Sequence, residues 1–168
     1  MSVYSVDKLI SEARKVAAEY KRATGKPLPG VTTEVCLHDA ARFLDLELCQ
    51  EQTAGYDAIG RGDRDGQKIQ IKGRAIFDEN KTGQRIGQLK LEQEWDSVVL
   101  VLLDDDLEAF EIFEASREDI EDAISDKAES SRRKRGVMSV AKFKIIGQLA
   151  WSRENGTENE VWDNQTDS

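Results

Sequence analysis

The stretch that decides the fold is GYDAIGRGDRDGQKIQIKGR, residues 55–74. Two short runs of alternating apolar and polar residues flank a turn rich in glycine and aspartate, a pattern that predicts a β-hairpin. With the turn centred between residues 63 and 64, Asp57 on the first strand lies opposite Gln70 on the second. Opposed residues project to the same face of a sheet, and alternation places Lys72 on that face too. The sequence therefore predicts that three polar side chains converge above a buried sheet.

The pattern of Asp57 followed by Gln70-Ile71-Lys72 resembles the PD-(D/E)xK nuclease superfamily, whose core places an aspartate on one strand and an acid-x-lysine triplet on the next. Glutamine stands where the usual acid would be, which is similar to the D…QxK variant of Mrr-like and modification-dependent restriction nucleases. That superfamily often contributes a glutamate from its first core helix, and Glu34 near the start of the helix before the hairpin fits this pattern. The resemblance covers roughly residues 30–150 and depends on a short motif.

The resemblance implies a catalytic set of Asp57, Gln70, Lys72 and Glu34. Asp57, the Gln70 side-chain carbonyl and the Ile71 backbone carbonyl would be hard oxygen ligands that suit Mg²⁺ or Mn²⁺. Lys72 would position or deprotonate the attacking water, and Glu34 would act through a metal-bound water or hold Lys72. Ordinary explanations stand beside these roles. Aspartate is common beside hairpin turns, and the helix dipole favours a carboxylate at Glu34 whether or not it does chemistry.

Composition indicates a single domain outside the membrane. The chain has 168 residues, of which 39% are hydrophobic, enough for a core at this size. No apolar run reaches the roughly 18 residues that a membrane span needs, and the start lacks the apolar region of a signal peptide. We expect a cytoplasmic protein. Cys36 and Cys49 are too few for a disulfide framework, and the single histidine, His38, leaves no zinc set.

The charge is distributed unevenly along the chain, although the formal net charge is −9. Residues 61–90 hold eight Lys/Arg against four Asp/Glu, residues 130–153 hold seven against none, and residues 91–129 hold two against fifteen. A basic face can bind a polyanion despite a negative net charge, because local potential steers binding. The alternative is that these runs are solvated surface. The cations expected to grip phosphates are Arg74, Lys81, Arg85, Lys90, Arg132, Arg133, Lys134 and Arg135.

The helices are predicted from apolar residues at helical spacing. The first covers residues 3–23, and the second starts at residue 32 or 33 and runs to about Leu48. A capping box of Ser116 and Asp119 starts a third helix. The fourth is expected over SVAKFKIIGQLAW and ends near Trp151.

Two further strands are predicted after the hairpin. The continuous apolar run at 96–103 is typical of a strand buried on both faces, which places it at the centre of the sheet. AFEIFEA, at 109–115, alternates as an antiparallel neighbour. The order ααββββαα predicts an α/β fold with a restriction-endonuclease-like core, a central mixed four-stranded sheet flanked by helices. The domain is expected to span 1–153, followed by an acidic, disordered tail over 154–168.

The predicted function is that of a metal-dependent endodeoxyribonuclease that hydrolyses double-stranded DNA. A homodimer would let two sites reach both strands, but no residue pattern requires it. Two alternatives remain open. One is a nuclease-like fold without catalysis that serves as a DNA-binding or protein-interaction module, and the other is a ribonuclease that uses the same metal-binding face.

Overall fold

The computed structural model describes residues 3–50, 55–76, 84–87, 89, 91–125 and 138–157. Within these ranges the chain forms four α-helices and a seven-stranded mixed sheet. The elements are α1 Val3–Thr24, α2 Val31–Leu44, β1 Leu46–Leu48, β2 Ala58–Gly60, β3 Lys68–Ala75, β4 Ser97–Leu103, β5 Ala109–Ser116, α3 Arg117–Ser125, α4 Val140–Ile146, β6 Gln148–Ser152 and β7 Gly156–Thr157. A short 3-10 turn, Gly62–Arg64, joins β2 to β3.

The strands lie in the sheet in chain order, from β1 at one edge to β7 at the other. All neighbouring pairs are antiparallel except β3 and β4, which are parallel. Every residue of β4 is buried, which confirms the predicted central strand. The α/β class and the mixed sheet are confirmed, but the prediction of four strands is wrong, because β1, β6 and β7 extend the sheet at its two edges.

Two of the predicted helices end earlier than expected, and a strand follows each of them. The second helix ends at Leu44 because Asp45 takes a left-handed conformation with φ 55°, and β1 begins directly after it. The fourth helix ends at Ile146. A Cβ at the next residue, Gly147, would lie 2.7 Å from the carbonyl oxygen of Glu114, so glycine allows the chain to pass β5 closely and continue as β6. Ser116 caps α3 as predicted, since its Oγ accepts from the Asp119 N–H at 3.2 Å.

The sheet separates two hydrophobic cores. On the first face, α1 and α2 pack against side chains that include Ile69, Ile71 and Val101. On the second face, α3, α4 and the side chains of Ile86, Leu89 and Trp95 pack against side chains that include Val98 and Leu100. Alternation along β3 therefore directs Gln70 and Lys72 toward the second face.

No helix in the described ranges is both long and apolar enough to cross a membrane. Residues 154–157, the first of the predicted tail, form the turn into β7 and that strand itself. The remainder of the predicted tail lies outside the described residues.

Candidate metal site

Asp57 lies directly before β2 and is bonded to β3 through both its backbone and its side chain. The strands pair Ala58 with Ile69, and this register continued by one residue sets Asp57 opposite Gln70. The Asp57 N–H donates to the Ile69 carbonyl at 2.8 Å. Its carboxylate oxygen Oδ2 accepts from the Ile71 N–H at 2.8 Å. These two bonds bracket Gln70 and hold the carboxylate beside the middle of β3.

The Ile71 carbonyl lies on the same side of β3 as this carboxylate. In a strand, the N–H and the C=O of one residue point to the same neighbouring strand, as the paired bonds of antiparallel ladders show. Because the Ile71 N–H points to Asp57, the Ile71 carbonyl points to that side too. Two of the three predicted ligand oxygens are thus directed to the same side of β3.

Gln70 is the unusual member of the site, because it is a polar residue inside the protein. Only 7% of its surface is exposed. Its side-chain oxygen Oε1 is buried without a hydrogen-bond partner among the described residues. An unsatisfied buried polar atom costs about 1–3 kcal/mol, so this acceptor is suited to a donor or a cation.

Lys72 and Arg74 continue the polar row along β3 and approach the same glycine. A Cβ at Gly87 would lie 3.5 Å from Lys72 Nζ and 3.7 Å from Arg74 Nη2. Arg74 donates from Nε to the Arg85 carbonyl and from Nη1 to the Gly73 carbonyl, both at 2.6 Å. Burial lowers the pKa of Arg74. The cationic groups of Lys72 and Arg74, two and four residues beyond Gln70 on β3, therefore both lie near Gly87.

Glu34 is not brought to this row. It is an exposed residue in the first turn of α2. The following residues Val35 and Cys36 pack into the first core, on the face of Ile69 and Ile71. Glu34 therefore belongs to the helix on the opposite face of the sheet from Gln70 and Lys72.

The ligand set that fits a metal is small and carries a single negative charge. Among the described residues, no group of three or more His, Cys, Asp or Glu side chains could hold a metal ion. The predicted ligand set consists of the Asp57 carboxylate, the Gln70 amide oxygen and the Ile71 carbonyl. All three are hard oxygen donors, which suit Mg²⁺ or Mn²⁺, and Mg²⁺ often keeps several waters beside one or two carboxylates. The unsatisfied Gln70 oxygen is the structural observation that supports this fit.

Two residues that support Asp57 were missed by reasoning from the sequence. The Cys49 N–H donates to the Asp57 carbonyl at 2.9 Å, from the end of β1. Gly55 has φ 106°, and a Cβ there would lie 2.6 Å from the Glu94 carbonyl oxygen. Gly55 stands two residues before Asp57 and could have been singled out as a point of close approach. Cys49 could not, because β1 itself was read as helix.

Of the cations predicted to contact phosphates, the structure describes Arg74 and Arg85. The side chain of Arg85 is exposed, and that of Arg74 is half-buried and bonded to backbone carbonyls. The remaining cations lie outside the described residues: Lys81, Lys90, Arg132, Arg133, Lys134 and Arg135.

Comparison with known proteins adds no assignment. A scan against protein-family models finds no match to this chain, and no curated protein is significantly similar to it in sequence. The functional argument therefore depends on the residues of the site, since function belongs to sites and not to folds.

Proposed function

We propose that the protein is a metal-dependent endodeoxyribonuclease that uses Mg²⁺ or Mn²⁺ to hydrolyse phosphodiester bonds. The single observation that carries the proposal is the buried Gln70 Oε1, which has no hydrogen-bond partner among the described residues and belongs to the residue next to Ile71, whose N–H fixes the Asp57 carboxylate. A buried acceptor of this kind is suited to a donor or a cation. A divalent cation held by Asp57, Gln70 and Ile71 would polarise the phosphate and neutralise charge in the transition state.

The residues of the chain supply the other requirements of hydrolysis. Lys72 projects from β3 two residues beyond Gln70, on the same face. Its side chain can hold the attacking water as an ammonium or, in the neutral amine form, take the proton of that water. The positive charge of Lys72 and Arg74 also opposes the negative charge that accumulates on the phosphate in the transition state. The Asp57 carboxylate needs no reorganisation, because the Ile71 N–H fixes its orientation.

Double-stranded DNA is the substrate that we propose. Arg85 presents an exposed cation beside Arg74, and the sequence adds the basic runs around it. Such contacts position a nucleic acid through its phosphates and carry no sequence information. Action as a homodimer and a cytoplasmic location belong to the same proposal.

The first test removes the charge of Asp57 and the amine of Lys72. Asp57→Asn keeps an oxygen that can accept from the Ile71 N–H, so this variant should still fold. Both Asp57→Asn and Lys72→Ala should abolish nicking of plasmid DNA in Mg²⁺. Asp65→Asn is the matched control, because Asp65 is an exposed residue of the same hairpin. Cleavage that survives in both site variants, in preparations free of contaminating nuclease, would contradict the enzymatic proposal.

The second test uses Gln70 to measure the metal directly. A carboxylate binds hard cations better than an amide, so calorimetric titration with Mg²⁺ or Mn²⁺ should rank Gln70→Glu tightest, wild type next and Gln70→Ala weakest. Bound metal should also raise the melting temperature of the wild type more than that of Gln70→Ala, since a ligand stabilises the state that binds it. Equal affinity in the three proteins would show that Gln70 is not a ligand.

One observation favours a second candidate, a nuclease-like module that binds DNA or a protein without cleaving. The site contains one carboxylate, and the described residues hold no cluster of three metal-binding side chains. Such a module should retard DNA in a gel or bind a protein partner without nicking plasmid in either Mg²⁺ or Mn²⁺. A ribonuclease would instead cleave RNA in preference to DNA under the same conditions.

A further inference from the structure

A cavity of about 530 Å³ opens at the end of the sheet, away from the metal site. Its polar wall includes Arg61, Arg64 and Gln67 from the β2–β3 turn and Glu114 from β5. Glu114 pairs with Val99, whose side chain lies in the first core, so the cavity is on the face opposite Gln70. Its volume is typical of sites that hold small molecules.

The central feature of this wall is an ion pair that presents a donor next to an acceptor. Arg64 donates from Nε to Glu114 Oε2 at 2.8 Å. Both side chains are shielded, with exposures of 23% and 14%. This bond uses one N–H of the guanidinium and one carboxylate oxygen. The terminal nitrogens of Arg64 carry further N–H donors and Glu114 has a second carboxylate oxygen, and these are the groups that a ligand would contact.

The charges of the cavity argue against a phosphate. Two arginines, Arg61 and Arg64, face three carboxylates, those of Asp45, Asp63 and Glu114. Arg61 is only loosely paired, at 3.9 Å to Asp45 and 3.4 Å to Glu47. A neutral ligand with both acceptors and donors matches this wall better than an anion, because a bound anion would meet the repulsion of the carboxylates.

The apolar wall suits a flat ligand. Phe43 and Leu44, at the end of α2, and Leu149, on β6, line the cavity. Phe43 is stacked on Trp151 with ring centroids 4.0 Å apart, which fixes its position. An aromatic or aliphatic wall of this kind favours an aromatic ring system.

We propose that this cavity binds a guanine base. Guanine carries its acceptors N7 and O6 side by side, the arrangement that arginine contacts most often. Its N1–H follows O6 on the same edge and can donate to Glu114 while Arg64 donates to O6. Adenine reverses this order, because it places the N6 donor where guanine has O6 and an acceptor where guanine has N1–H. The proposal does not depend on the proposed nuclease activity, since the metal site is on the other face of the sheet.

The base could belong to a free nucleoside or to a nucleic acid, and two titrations distinguish these sources. Calorimetry with guanosine tests the free base. Fluorescence anisotropy with a single-stranded oligothymidine that contains one guanine, compared with the same oligomer without it, tests the base within DNA. Binding of guanosine or a preference for the guanine-containing oligomer supports the proposal, and failure of both overturns it.

The chemistry of recognition is tested by changing the ligand and the protein in parallel. O6-methylguanosine, which lacks the N1–H, and adenosine should each bind at least tenfold more weakly than guanosine. Glu114→Gln should weaken guanosine binding at least tenfold, because the amide replaces a carboxylate acceptor. Glu111→Gln on the same strand is the matched control, since Glu111 pairs with Leu102 and so faces the second core. Equal binding of adenosine, or equal affinity in the two variants, would overturn the guanine assignment.

A second variant keeps the test decisive if Glu114→Gln does not fold. Gln148 lines the cavity, is exposed and pairs with Glu114 across β5 and β6, so Gln148→Trp should be tolerated and should fill part of the space. Guanosine binding should fall at least tenfold in this variant. Unchanged binding would show that the ligand is held elsewhere, which contradicts the proposal. The metal titrations of Gln70 variants are unaffected by this result, so the two proposals fail separately.

Discussion

At the scale of single residues, Gly73 shows how tightly the first core packs against β3. A Cβ at this position would overlap with the side chain of Cys36 on α2. We expect Gly73→Ala to lower the free energy of unfolding by about 1–3 kcal/mol, because a well-packed core does not accommodate added atoms. Gly87→Ala is the control, since its Cβ would make ordinary contacts with Lys72 and Arg74. Urea denaturation measures both, and equal stability would contradict the packing argument.

Cys36 also predicts a dependence of stability on pH. Burial raises the pKa of its thiol from 9.0 to about 12. Above pH 9 the unfolded chain loses this proton while the folded chain keeps it. The stabilising contribution is therefore complete below pH 9 and is lost as the pH rises toward 12, at about 1.4 kcal/mol per pH unit. Urea denaturation between pH 8 and 10.5 should show this fall in the wild type and a smaller one in Cys36→Ala, and parallel slopes would disprove it.

At the scale of elements, a buried ion pair joins α1 to α2 and to the β4–β5 turn. Arg14 forms two hydrogen bonds of 2.8 Å with Asp39 and a third of 2.7 Å with the Leu107 carbonyl. Asp39→Ala would leave the buried arginine beside the exposed carboxylate of Glu108 at 3.5 Å, and removing one partner of a buried ion pair typically costs about 3–5 kcal/mol. We expect thermal unfolding to show a loss of about this size.

The control for this pair is a surface ion pair between the same helix and the same turn. Arg22 on α1 contacts Asp106, and both side chains are more than half exposed. Asp106→Ala should therefore cost less than about 1 kcal/mol, as exposed pairs do. If Asp39→Ala is no more harmful than Asp106→Ala, Arg14 does not hold α1 in place.

The elements that could be predicted from sequence are those whose signals are local. The hairpin, the fully buried β4 and the Ser116 cap each depend on a few neighbouring residues, and the hairpin symmetry alone gave the register that sets Asp57 opposite Gln70. β1 and β6 were read as the ends of helices, because Leu46–Leu48 and Gln148–Ser152 are too short to show a strand period beside a helical pattern. Tertiary pairing with β2 and β5 decides their conformation.

The candidate site was predictable only in part, because some of its features depend on local sequence and others on tertiary packing. Alternation along β3 identified Gln70 and Lys72, but it could not show that Gln70 is buried, because members of the second core such as Ile86 and Leu89 are distant from it in sequence. Glu34 followed from its place in the chain, and only the packing of α2 shows that it lies across the sheet. The Arg64–Glu114 pair joins residues 50 positions apart, and no local pattern connects them.

At the scale of the whole molecule, the chain has a net charge of −9 but contains both strongly acidic and strongly basic segments. The exposed surface of α3 is acidic, with Glu118, Asp119, Glu121 and Asp122. The DNA binding that we propose would therefore depend on where the cations lie and not on their number, since local potential outweighs net charge within a Debye length. The densest basic run is Arg132–Arg135, which follows α3 in the chain.

Replacing Arg132, Arg133, Lys134 and Arg135 with alanine should weaken binding to all DNA sequences alike and flatten its salt dependence. Each lost phosphate contact removes about 0.9 from the slope of log affinity against log salt concentration. A matched variant with the same loss of charge replaces Lys8, Lys15, Arg22 and Lys26, which are exposed residues of the α1 region. Fluorescence anisotropy from 50 to 300 mM salt should show a flatter slope for the first variant only. If both variants flatten the slope equally, net charge and not the run 132–135 controls binding, and an unchanged slope in both would place the phosphate contacts elsewhere on the protein.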